Sequence, residues 1–158
     1  MSLIKVYIHA VWSVKYRDAL LTSEMRPHLI KSISGLLVDR GHTPVATNSE
    51  PDHIHTLFRF SCREDIADTM QAIKGGSSKV LNEMFFSHQA PFRWQGGYGA
   101  FSVCPTHVDG KAQYVRDQQI IHARRHFEEE YLEMIAEHPP LELDDEESMP
   151  YWRPLEER

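Results

Sequence analysis

The sequence predicts a single α+β domain with one antiparallel sheet and helices mainly on one face. Three observations predict it. Residues 4–14 alternate at a period of two, residues 22–38 and 64–86 repeat apolar positions every three or four, and Ser49-Glu50-Pro51-Asp52 forms a turn between two strand-like runs. A length of 158 residues with 41% hydrophobic and 25% charged side chains fits one folded core.

The elements follow in order. In the first strand Ile4, Val6, Ile8 and Ala10 lie on one side and Lys5, Tyr7, His9 and Val11 on the other. Thr22 or Ser23 caps a helix through about Val38, in which Leu29, Ile30, Ile33, Leu36 and Leu37 recur at helical spacing, and Gly41 stops it. Thr43–Asn48 and His53–Phe60 form a hairpin. Glu64–Phe86 is helical through Ile66, Met70, Ile73, Val80, Leu81 and Met84, with an expected break or kink at Gly75-Gly76. A Gly-, Pro- and aromatic-rich loop, 88–99, precedes a short strand at Ala100–Cys104, and one long helix is expected from Thr106 to about Ile135. This order, strand, helix, strand, strand, helix, strand, helix, is that of ferredoxin-like and RRM-like sandwiches.

The expected division is a domain over 1–136 and an acidic, Pro-containing tail over 137–158. Eight acids and two arginines from Glu137 onward carry the whole net charge of −6, leaving 15 acids and 15 bases before it. A neutral body neither requires nor excludes a polyanionic partner. No run approaches the ~18 apolar residues of a membrane helix, so no membrane association is expected. The first segment lacks a signal peptide's cleavage region, and Cys62 and Cys104 are not spaced as zinc ligands; the expectation is a cytoplasmic protein with two reduced thiols.

Two features carry chemistry. His53 and His55, at i and i+2 on a strand, leave the same sheet face about 7 Å apart and can converge on one ion, with His9 on the same side. On the last helix, at 100° per residue, Ala112, Val115, Ile120, Ala123 and Phe127 form the core-facing side, while Tyr114, Gln118, His122 and Arg125 share a polar face. Packed beside the histidines, that face would set a phenol next to two imidazoles and an amide oxygen able to hold a divalent ion. Such a site suits phosphodiester cleavage by a tyrosine nucleophile, with Arg125 or His122 as helpers.

Pro51-Asp52-His53-Ile54-His55 resembles the His-hydrophobic-His signature of the HUH endonucleases. The stretches His9–Arg17, Ile73–Ser78, Phe92–Val103 and Tyr114–Gln118, in order, resemble the single-tyrosine transposases of small bacterial insertion sequences, including REP-associated relatives. The resemblance implies Tyr114 as nucleophile, His53, His55 and Gln118 as ligands of Mg2+ or Mn2+, and cleavage of single-stranded DNA through a 5′-phosphotyrosine with a free 3′ hydroxyl. It also implies homodimers acting at hairpin-flanked element ends, with Lys74, Ser77, Ser78 and Trp94 as candidates for DNA contact or active-site support; Arg125 is a further candidate for DNA contact, and His9 and His122 are expected in supporting roles. Two departures from the family pattern are Ile121-His122, where two adjacent histidines are common, and the acidic closing segment. The same residues also fit a domesticated hairpin-binding module that does not cleave, and a small metal hydrolase that forms no covalent DNA adduct.

Overall fold

The computed structural model describes residues 3–124 and 126–138. Its elements are β1 (Val6–Ser13), α1 (Met25–Asp39), β2 (Thr43–Ser49), β3 (His53–Phe60), α2 (Ile66–Phe85), β4 (Gly99–Val103), α3 (Val108–Arg116), α4 (Gln118–His122) and α5 (Phe127–Glu137), with short 3-10 turns at Lys15–Arg17 and Pro105–His107. The sheet order is β2-β3-β1-β4 and every pairing is antiparallel, which is the ferredoxin-like arrangement expected.

The alternation in β1 and β3 divides the sheet into two chemically different faces. Ile8, Ala10 and Trp12 of β1 and Ile54 and Phe58 of β3 meet Leu29, Ile33 and Leu37 of α1 and Met70, Ile73 and Leu81 of α2 in the main core. The opposite face carries His9 and Val11 of β1 and His53, His55 and Leu57 of β3. Val11 pairs with His55 and Ser13 with His53, so the histidines stand at one end of the two central strands.

α1 ends as expected at Gly41, whose φ of +82° a side chain would strain; Gly41 N–H bonds to the Val38 carbonyl and His42 N–H to that of Leu37. The expected break at Gly75-Gly76 is absent, and α2 runs unbroken. A Cβ on Gly76 would lie 2.6 Å from a Leu36 methyl, so this glycine permits close approach of α1 and α2.

Two further expectations are corrected. The single helix over 106–135 is three pieces; Asn48 Nδ2 of β2 donates to the Arg116 carbonyl and exchanges amide bonds with Gln119, ending α3 at Arg116. The second sheet face, expected to stay open, is partly covered: Ala112 and Val115 of α3 pack on Ala46, Leu57 and Val103, and Phe127, Tyr131 and Met134 of α5 pack on Val11. Apolar Val11 and Leu57 on that face give these pieces something to bury. Among the described residues, no helix is long and apolar enough to cross a membrane. Cys62 and Cys104 are free and exposed. Of the expected tail, Glu137 ends α5 and His138 follows it, and residues 139–158 lie outside those described.

Candidate active site

The second sheet face brings the sequence's two chemical features together. His53 and His55 are both buried, and each has its Nδ1 occupied: His53 Nδ1 lies 2.6 Å from Asp52 Oδ1, and His55 Nδ1 lies 2.9 Å from His9 Nε2. Asp52 can only accept, so a neutral His53 carries its proton on Nδ1 and turns a bare Nε2 inward; a His55 whose Nδ1–H donates to His9 does the same. Neither Nε2 has a hydrogen-bond partner. His9, on the paired strand β1, lies on the same sheet face, as its alternation suggested, and contacts His55.

Tyr114 is half-buried on α3, its ring centroid 6.0 Å from that of His55 and 6.1 Å from that of His9, edge-on to both. The Lys111 ammonium, one turn earlier, sits 4.9 Å from the Tyr114 ring centre. The ring borders a groove of about 760 Å³ between β4, α3 and α5, whose lining includes His107, Lys111 and His138. Gln118 is fully buried rather than on a solvated face. Its Nε2 donates to the Tyr114 carbonyl and to Glu130 Oε1, while its Oε1 has no hydrogen-bond partner.

The helix break undoes the wheel beyond Asp117. Ile120, expected in the core, is 62% exposed, and His122 turns inward, with Nε2 2.7 Å from Glu130 Oε2. Glu130 went unnoticed in the sequence because the Glu128-Glu129-Glu130 run reads as a solvated surface when one helix continues to Ile135. As the first turn of a separate helix, the run complements that helix's dipole, and the third glutamate is buried. One nitrogen each from His53, His55 and His122 and one Glu130 oxygen lie within 4.8 Å of one another.

The charges follow from burial. Desolvation holds His55 well below its ordinary pKa, with the neighbouring histidines adding to it, and lowers His9 to about 3. It lowers His53 too, partly offset by the bond to Asp52. Burial works to raise the Asp52 carboxyl, but its bonds to His53 and Arg17 outweigh this and hold it at about 2. Burial, and then the negative charge of Glu50, push Glu130 up to about 8. Neutral imidazoles and a carboxyl group that ionises opposite a cation form a donor set able to hold a divalent metal ion, and the buried Nε2 atoms of His53 and His55 without hydrogen-bond partners are ones such an ion would satisfy.

The residues expected near DNA are more scattered. Ser77 of α2 and Trp94 of the 92–98 loop are buried, and Trp94 Nε1 donates to Ser77 Oγ at 3.1 Å; as a correction to the expected DNA contact, the pair packs the loop onto α2 and offers no surface. Lys74 Nζ donates to the Gln95 and Gly97 carbonyls, anchoring the same loop. Ser78 is part-exposed, its hydroxyl bonded to the Gly75 carbonyl. Arg125 lies outside the described residues.

Against known proteins, residues 2–118 match the family described as Transposase IS200 like. The ISDra2 transposase TnpA of Deinococcus radiodurans is 30% identical over 73 residues, 46% of this chain and 52% of that protein, so the chain spans about half the length of this curated relative. A crystal structure of a candidate transposase from Deinococcus radiodurans R1 superposes with a TM-score of 0.60 at 25% identity, covering 74% of this chain and 93% of that one. A REP-associated tyrosine transposase bound to a REP hairpin has the same fold, with a TM-score of 0.54 at 18% identity over 77% of this chain and 72% of its own. The matched stretch holds His9, the His53/His55 pair, Tyr114 and Gln118, and ends before His122 and Glu130. With most of its length matched and the fold in agreement, the chain belongs to the IS200-like transposase family.

Proposed function

We propose that this chain cleaves and rejoins single-stranded DNA at hairpin-flanked ends, with Tyr114 as nucleophile. The observation that carries the reading is the meeting of the Tyr114 ring with two buried histidines, one of which, His55, shares with His53 an inward, unbonded Nε2. The Tyr114 oxygen attacks phosphorus, and the bond from phosphorus to the 3′ oxygen breaks as the tyrosine bond forms. The phenol's proton leaves to a base, the departing 3′ oxygen takes one up, and the 5′-phosphotyrosine keeps the ester for the reverse reaction.

A phenol with an ordinary pKa near 10 needs help to attack at neutral pH. Lys111 over the ring face favours the developing phenolate electrostatically. His53, His55 and Gln118 would hold Mg2+ or Mn2+, with Glu130 and His122 as further donors from the helices that close the site. Such an ion, when bound, would withdraw charge from the phosphoryl oxygens. The groove beside Tyr114 gives room for the strand, and Lys111 gives its phosphates a cation. A hairpin partner is supported by the transposase of the same fold that is bound to one.

Two cleaved ends must be held together for rejoining, so a homodimer, each chain carrying one tyrosine, is the smallest assembly for strand transfer. Within one chain Tyr114 already meets His55, which favours a site completed by its own subunit. The test incubates protein with Mn2+ and an end-labelled single strand flanked by a hairpin. Wild type should give a denaturant-resistant protein–DNA adduct and Tyr114→Phe none, with hairpin binding retained. Binding without any adduct in wild type would favour the non-cleaving hairpin module.

A further inference from the structure

We propose that Arg17 is a positioning residue, a latch that ties α5 to the β2–β3 turn and so fixes the His53 imidazole and the Glu130 carboxyl at the site; its consequence for ion binding rests on the function proposed above. Tyr16 and Arg17, neither of them glycine, sit consecutively in the left-handed region at φ 61° and 58°. Side chains avoid that region, so two adjacent residues persist there only when their surroundings over-determine them.

The surroundings do so here. Val14 N–H bonds to the Asp52 carbonyl, Lys15 N–H to that of Arg93, and Arg17 N–H to that of Val14. The result aims the Arg17 side chain, only 16% exposed, across the end of the sheet. Its Nη2 donates to Asp52 Oδ2 at 2.7 Å and its Nη1 to Glu128 Oε1 at 2.8 Å. One guanidinium therefore joins the residue before β3 to the first turn of α5, a bridge that its planar fork allows and a single ammonium does not.

Both arms end at the site. Asp52 uses its other oxygen to hold His53 Nδ1. On the α5 side, Phe127 lies 4.8 Å under the guanidinium and stacks on the His53 ring at 4.1 Å, and Glu130 follows one turn after Phe127. His53 is thus gripped at its nitrogen and at its face by two groups that Arg17 holds together. Because α5 follows a break, this tie helps decide whether Glu130 arrives at the histidines.

The test compares wild type with Arg17→Ala and Arg17→Lys by two readouts: NMR of the His53 imidazole in metal-free protein, and calorimetric titration with Mn2+. Arg17→Ala should move the His53 ring resonances as the Phe127 ring loosens, and should weaken Mn2+ binding about 10- to 100-fold, the usual loss when a group that orients a ligand is removed. Arg17→Lys, able to keep one ion pair, should fall between in both. If Arg17→Ala does not fold, Glu128→Gln, which cuts only the more exposed arm, carries the test with the same direction of change. His53 resonances unchanged from wild type in a folded variant would overturn the latch. Failure of wild type itself to bind Mn2+ would overturn the ion site proposed above, and the metal-free His53 resonances would then decide the latch alone.

Discussion

His9 Nε2 lies 2.9 Å from His55 Nδ1, with the two rings stacked at 5.2 Å between centroids. This contact between neighbouring strands fixes which His55 nitrogen faces the site. His9→Phe keeps the ring volume but strands His55 Nδ1 without an acceptor, so Mn2+ affinity should fall about 10-fold or more by calorimetry. His9→Gln, which restores an acceptor, should recover part of that loss.

The Asn48–Gln119 amide pair ends α3 and turns Gln118 inward. Asn48→Ala would leave the Arg116 carbonyl and Gln119 Oε1 without their donor, and should cost about 1–3 kcal/mol in urea unfolding. Strand cleavage should fall further than this stability loss explains, because Gln118, which follows the break, would no longer be held against Glu130.

The strands and the first helix were legible because burial on one side imposes a period on the sequence: Ile8, Ala10 and Trp12 against His9 and Val11, or Leu29, Ile33 and Leu37. The His53/His55 pair and its alignment with His9 follow from the same alternation. The break after Arg116 was not legible, since it is set by an amide of β2, 68 residues earlier in the chain. Glu130 was hidden with it, because its burial depends on α5 starting afresh at Phe127. Gly75-Gly76 misled for a related reason: their low helix propensity is outweighed by the packing of Gly76 against Leu36, which residue-by-residue preferences cannot register.

Lys74 provides a pH signature away from the site. Burial lowers its pKa from 10.5 to about 8, so between those values the unfolded chain binds more protons than the folded one. Its contribution to stability therefore rises with pH across that window. Lys74→Met removes the titration, and the stability difference between wild type and variant should shift in favour of wild type as pH is raised from about 7.5 to about 9.5. Urea midpoints at the two values measure it.

If each chain completes its own site, mixing Tyr114→Phe with His53→Ala/His55→Ala protein should restore no cleavage once subunit exchange is verified. Recovery of cleavage in the mixture would mean that the tyrosine of one chain works at the histidines of the other.

In the proposed reaction Tyr114 carries the DNA. Mass spectrometry of the trypsin-digested adduct tests it most directly, since cleavage after Lys111 and Arg116 isolates Tyr114 in the short peptide Ala112–Arg116. The nucleotide mass is expected on that peptide, at the tyrosine oxygen. The same mass on a peptide bearing Tyr98 or Tyr131 instead, with Tyr114 unmodified, would contradict it.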